Sequence, residues 1–152
     1  MAEVLKQWDR ADYVCVVNVN PLGFRCGYVG VRPDHPLHGK DYCTFWDLGE
    51  RYHFNVHGGL TFSSDSNEDY PVKLDRQWSK NHVWWFGFDC GHSGDAPETE
   101  LMNEVAKACH EKYMSTIYEG AVVRSTEYVV NECEELVVQF EKFRGDENAD
   151  TV

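Results

Sequence analysis

The chain has 152 residues, enough for one domain with one real core, and its 14% aromatic share argues against disorder over most of its length. Twenty-six acidic against 14 basic side chains give a net charge of −12, and no run of Lys or Arg is present to neutralise phosphates, which excludes ordinary direct DNA or RNA binding. The acidic excess reads as solubility and self-repulsion, or as a face that docks onto a basic protein; part of it sits in the tail-like text GDENAD (145–150) and on helix faces.

Tyr13 to Asn20 is the first strand signal, rich in β-branched residues and ended by the turn text Pro21-Leu22-Gly23. Phe24 to Val31 follows as a second strand, joined to the first as a hairpin. Gly27 and Gly30 within it point to a close backbone approach or a bulge. Residues 32–42 form a proline-shaped loop, for which Phe45, Trp46 and Leu48 can be anchors. Arg51 to Val56 alternates enough for a third strand, and Leu60 to Ser63 suits a short fourth. Residues 64–81 read as a polar surface excursion. His82 to Phe88 is the strongest strand, with aromatics at both parities, as in a strand buried on both faces.

Pro97 to about Tyr118 reads as a helix, with Asp95 as N-cap, Glu98 completing a capping box, and Met102, Val105, Cys109 and Tyr113 on one helical stripe. Ser125 or Thr126 caps the last helix, whose apolar row is Val129, Cys133, Leu136, Phe140 and Phe143. Strands first and helices last predict an α+β fold, a mostly antiparallel sheet with two C-terminal helices on one face. The expected organisation is a single domain over 1–144 and an acidic, disordered tail over 145–152.

The six cysteines (Cys15, Cys26, Cys43, Cys90, Cys109, Cys133) form no CxxC pair and suit small buried hydrophobes in a reducing compartment. The text MAEVLKQWDR lacks the apolar stretch of a signal peptide, and nothing approaches a membrane span, so the expected location is cytoplasmic.

Two polar clusters carry the candidate chemistry. In Gly87 to Asp95, a strand delivers Asp89, His92 and Asp95 onto a glycine-rich turn. His92 can be a general base oriented by Asp89. The turn amides and the following helix N-terminus can hold an anion. With His57, these residues can hold a divalent metal, although D-x2-H-x2-D matches no strong metal signature. Structural duties compete: Asp95 as a cap, Asp89 as a turn brace, His92 on a carbonyl. In the second cluster, Gly58 and Gly59 permit positive φ and close ligand approach, His57 can titrate or coordinate, and Ser63 is a nucleophile only with a base beside it. A tight turn is the plainer reading. His35 and His38 can close over a pocket, though each is more ordinary in a surface loop. Trp84 and Trp85 suit the core better than base stacking. Arg124 can pair with an anion or with Asp89.

The segments GYVGVRPDHPLHGKDY (27–42), HGGLTFS (57–63), WWFGFDCGHSGD (84–95) and RSTEYVVNECEELVVQ (124–139), in that order, resemble a family of small proteins encoded by bacteriophages and prophages. The resemblance implies a phage setting and transfers no catalytic residue; residues 98–118 stand out as a long helical insertion.

The resulting expectation is a phage-type accessory protein, of anti-defence kind, with a polar pocket for a small anionic, nucleotide-like ligand that is bound or hydrolysed. His57, Asp89 and His92 form the acid–base set; Gly58, Gly59, Ser63, Asp95 and His38 support the ligand. A divalent metal, if present, falls to His57, Asp89, His92 and Asp95. The alternative is a non-enzymatic acidic inhibitor, anti-CRISPR-like, that blocks a basic, nucleic-acid-binding host defence protein. Enzyme or not, and monomer or oligomer, stay open in the sequence.

Overall fold

Successive short runs of β-branched and aromatic residues, closed by tight turns, build a five-stranded antiparallel sheet. A computed structural model describes residues 3–65 and 83–150. The strands are β1 (Glu3–Arg10), β2 (Tyr13–Val19), β3 (Arg25–Val31), β4 (Phe62–Asp65) and β5 (Trp84–Asp89), in the spatial order β1-β2-β3-β5-β4. Two further strands, β6 (Asp95–Ala96) and β7 (Val122–Val123), pair in parallel away from the main sheet. A short helix, α1 (Glu104–Cys109), continues as a π turn over His110–Met114. The long helix α2 (Thr126–Asp150) closes the chain, with Ser125 Oγ accepting from the Tyr128 amide as its cap.

The core follows the strand alternation. Tyr13, Cys15, Val17, Val29, Phe86 and Phe88 face α2, which buries Val129, Cys133, Leu136, Phe140 and Phe143 against them. Val14, Val16, Tyr28 and Trp85 form a second apolar layer on the opposite face. A β-carbon on Gly27 would stand 2.4 Å from the Phe88 ring and 2.9 Å from Cys133 Sγ, so this glycine is what lets α2 lie close on the sheet.

The α+β class and the antiparallel sheet stand as expected; several details differ. β1 is an edge strand that its text does not announce. A register shift between Val4 and Lys6 breaks its alternation, and its turn to β2 is Ala11-Asp12, with Ala11 at φ +53°, lacking the usual glycine signal. Arg51 to Val56 is not a strand. A 3-10 turn occupies Glu50–Tyr52, and the Gln139 side chain then bonds both the amide and the carbonyl of Asn55, standing in for a neighbouring strand. His82 and most of the 64–81 excursion lie outside the described residues.

Of the two C-terminal helices expected, α2 packs on the sheet, whereas α1 buries no side chain. Asp95 caps nothing, because it lies in β6; Asn103 Oδ1 caps α1 instead, and Glu98 pairs with the buried Arg25. α2 also passes Gly145 and reaches Asp150, where the sequence predicts a disordered tail, and Glu147 on that stretch pairs with Arg51. Among the described residues, no helix is long and apolar enough to cross a membrane.

Candidate functional site

The two polar clusters meet. β5 ends at Asp89, and the chain turns through residues 90–94 into β6, while the 57–59 turn lies beside it. Thr61 N–H donates to the Gly87 carbonyl at 2.9 Å, and Thr61 Oγ1 lies 3.2 Å from Asp89 Oδ2. Gly58 and Gly59 sit at φ +70° and +80°, the left-handed conformation that only glycine adopts at little cost. A β-carbon at Gly58 would strike the His92 ring at 2.3 Å. The 57–59 turn is therefore folded directly against the 92–95 turn.

At the centre stands Asp95, 3% exposed. Its Oδ2 accepts from His57 Nε2 at 2.7 Å and from the His92 amide at 3.0 Å. Its Oδ1 accepts from Arg124 Nε at 2.9 Å. Burial opposes ionisation of Asp95, but these three donors outweigh it and hold its carboxyl below its ordinary pKa. Buried carboxylates persist when paired and fully hydrogen-bonded, as this one is.

His57 is held from every side. Its amide donates to Glu132 Oε1 at 2.8 Å, and its Nδ1 lies 2.8 Å from the Tyr128 hydroxyl. With the Nε2 proton facing Asp95, Nδ1 accepts from Tyr128, which fixes the tautomer. Burial, then the charge of Glu132, raises the Tyr128 pKa, keeping that hydroxyl a donor at neutral pH. The Arg124 guanidinium stands 5.2 Å from the Tyr128 ring centroid. The result is a continuous chain, Tyr128–His57–Asp95–Arg124, in which a carboxylate orients an imidazole toward a hydroxyl, the arrangement by which acid–base sites position a proton.

Tyr128 and Glu132 come from the start of α2 and Arg124 from just before its cap, at a spacing of four, beside the helix's buried apolar row. Tyr128 and Glu132 are not among the residues that the sequence singles out; Arg124 is matched there with an anion or Asp89, and it takes Asp95. A polar i, i+4, i+8 row adjoining an apolar one was the available signal.

Other expectations are corrected. Asp89 braces its turn by accepting from the Gly91 amide at 2.9 Å. His92 Nε2 lies 3.2 Å from Asp89 Oδ1, but out of line for a hydrogen bond, so the oriented pair is His57–Asp95 and not His92–Asp89. Ser63 belongs to another neighbourhood: its Oγ accepts from the Tyr42 amide at 3.0 Å and lies 3.4 Å from Asp41, and among the described residues no histidine is bonded to it. His38 packs on Trp84, at the opposite end of β5 from Asp89, about 16 Å away at the rise of a strand. His35 is buried beneath α2, its Nδ1 accepting from the Leu37 amide and its Nε2 meeting the Phe140 carbonyl, so neither loop histidine reaches the site. Among the described residues no group of His, Cys, Asp and Glu has the arrangement to hold a metal ion. His57 and Asp95 face each other and do not converge with Asp89 and His92 on a common point. The anion site at a helix N-terminus after Asp95 is also absent, because no helix begins there.

An open cleft of about 380 Å³ adjoins this chain of groups, lined by His92, Ser93, Gly94 and Asp95 on one side and by residues 117–121 on the other. The Gly94 carbonyl accepts from the Val122 amide at 2.9 Å, which fixes the two walls together. No protein family, no curated protein and no solved structure matches this chain.

Proposed function

We propose that this is a phage-type accessory protein, of anti-defence kind, that takes a small anionic, nucleotide-like ligand in the cleft beside Asp95. The supporting observation is the His57–Asp95 pair at 2.7 Å with Tyr128 on the far nitrogen of the imidazole. A histidine held between a buried carboxylate and a phenol is costly to assemble for packing alone, because three polar groups lose water where apolar side chains would suffice. Arg124 engages Asp95 through Nε, is part-exposed, and keeps its other nitrogens for an anion. His92 and the 92–95 turn supply further polar groups on the cleft wall. Held by the Asp95 carboxylate through Nε2, His57 keeps a fixed orientation toward the Tyr128 hydroxyl beside the cleft.

The acidic-inhibitor reading draws on the charge of α2. Glu132 bonds the His57 amide, Glu134 bonds Trp8 and Arg10, Glu141 bonds Tyr13, and Glu147 pairs with Arg51. These internal engagements support the cleft over a charge-driven docking face.

Native mass spectrometry of gently purified protein, followed by calorimetric titration with a panel of nucleotides, tests the reading. A retained or titratable nucleotide is expected, and a shift in the ligand's own mass would reveal turnover. His57→Gln, whose amide can still donate to Asp95, and Tyr128→Phe should each weaken binding about tenfold or more, equivalent to about 1.4 kcal/mol, with an unchanged circular dichroism spectrum. Equal affinity in both variants, or no nucleotide bound at millimolar concentration, would sink it.

A further inference from the structure

His35 lies buried, 4% exposed, where the 32–42 loop meets the body of the molecule. Both of its ring nitrogens are committed, and in opposite senses. The Leu37 amide is a donor, so Nδ1, 3.1 Å away, must accept from it. The Phe140 carbonyl is an acceptor, so Nε2, 3.2 Å away, must carry the proton. The Tyr13 and Phe140 rings pack on the imidazole at 5.7 and 6.0 Å between centroids. A second proton has only Nδ1 to go to. There it would set an N–H against the Leu37 N–H and leave two buried donors with no acceptor between them. Leu37 is itself fully buried in the core beneath α2.

The surrounding charges give a protonated ring little relief. Asp34 faces it from its own loop, Tyr13 from β2, Asp12 from the turn before β2, and Glu141 and Arg144 from α2. Glu141 and Asp34 favour a cation there, and Arg144 disfavours it. Glu141 is already engaged, accepting from the Tyr13 hydroxyl at 2.6 Å and pairing with Arg144, which also lies 3.6 Å from Asp12. Among the described residues no carboxylate is bonded to the ring. Trp84 holds both ends of the loop: Val31 is its partner across the sheet, and the Lys40 carbonyl accepts from its indole N–H at 2.9 Å. Between those ends the amides of His35, His38 and Lys40 donate to carbonyls within the loop, so the His35 ring is what bonds this stretch to α2.

We propose that residues 32–39 form an acid-opened flap: a proton on His35 Nδ1 expels His35 and Leu37 from beneath α2, while the sheet and the Asp95 end of the molecule stay folded. Burial, opposed by the Phe140 carbonyl, holds the pKa of the closed ring at about 4, whereas an opened, solvated ring returns to about 6.5. The closed flap is therefore fully favoured above about pH 6.5. Below that, the open-to-closed ratio rises about tenfold per pH unit down to about pH 4, roughly 300-fold in all. Asp95, held below its ordinary pKa, keeps its charge through that span.

Hydrogen exchange of the full chain from pH 7 to 4, repeated in low concentrations of urea, reads the opening directly. The Leu37 amide should lose protection about tenfold per pH unit with little dependence on urea, while amides of β2 and β3 exchange more slowly and depend steeply on it. His35→Gln, which takes no proton in this range, should abolish that pH slope. His38 lies in the same loop against Trp84, and burial lowers its pKa as well, so His38→Gln is the control that should keep the slope. Should His35→Gln misfold, ring nitrogen chemical shifts of the unaltered protein test the same geometry, with a neutral ring protonated on Nε2 expected at pH 7. A proton on Nδ1 at that pH overturns the proposal. So does a Leu37 amide that exchanges only together with the sheet, or a slope that vanishes with His38 and survives the loss of His35.

Discussion

Gly58 and Gly59 share a left-handed turn, but their surroundings separate them. A methyl carbon added at Gly59 would meet no atom within 4 Å, whereas one added at Gly58 would fall 2.3 Å from the His92 ring. Gly59→Ala should therefore cost only the backbone penalty, about 1–2 kcal/mol. Gly58→Ala should cost more and displace His92, visible as a shift of its ring resonances that Gly59→Ala does not produce. Equal costs and unmoved resonances would mean that the two turns are not packed as described. His35 makes a pH prediction. Burial, opposed by the Phe140 carbonyl, lowers its pKa to about 4, so it stays neutral in the fold while the unfolded chain takes a proton below about pH 6.5. Its contribution is complete above that pH and is lost as pH falls from about 6.5 to 4, amounting to about 3 kcal/mol. Urea unfolding at stepped pH should show that loss, and His35→Gln should flatten it; parallel slopes in both proteins would refute the assignment. Residues such as His57 and Asp95 were legible in the sequence as polar interruptions of strand text. Their pairing was not, because it depends on a long-range approach of two turns that local spacing does not encode.

The elements differ in how openly the sequence states them. α2 is legible because its apolar row repeats over several turns and each member is buried in one continuous core. Phe140→Ala should cost about 3–5 kcal/mol in chemical denaturation, and a loss below about 1 kcal/mol would deny it that place. The glutamates beside this row look like a solvated face in the sequence, yet Glu134 and Glu141 fasten α2 to β1 and β2 through Trp8, Arg10 and Tyr13. Charge reversal there would damage the fold before it tested any docking. Glu134→Gln keeps an acceptor for Trp8 and should cost under about 1 kcal/mol, whereas Glu134→Lys should cost clearly more. Along α1 and the π turn after it, the apolar stripe Val105 to Tyr113 faces out, and the neighbouring row with His110 and Tyr118 is half-buried. Tertiary context decided between two rows of equal period. β1 was invisible for a different reason, a bulge that breaks its alternation and a turn without glycine.

Across the whole molecule, the sheet and α2 form one continuous core, while residues 97–121 hang from it with few buried side chains. Hydrogen exchange should follow that division, slow through β2, β3, β5 and the middle of α2, fast through 97–121. Comparable protection in the excursion would refute that division. Arg25 ties the excursion to the body, pairing with Glu98 while donating to Thr126 Oγ1 and the Arg124 carbonyl. Asp95 is held in the same manner, by groups from three separate stretches of chain: the 57 turn, its own turn, and the residues leading into α2. During synthesis these stretches leave the ribosome in order, and the last to appear is the one that carries Arg124 and Tyr128. Until it docks, Asp95 is a carboxylate without its cation and the cleft lacks the imidazole–phenol contact. Completion of the network around Asp95 is thus the last step as the chain emerges, and a chain interrupted before residue 124 would have the five main strands and the His57–Asp95 pair without the cation and the phenol that hold them.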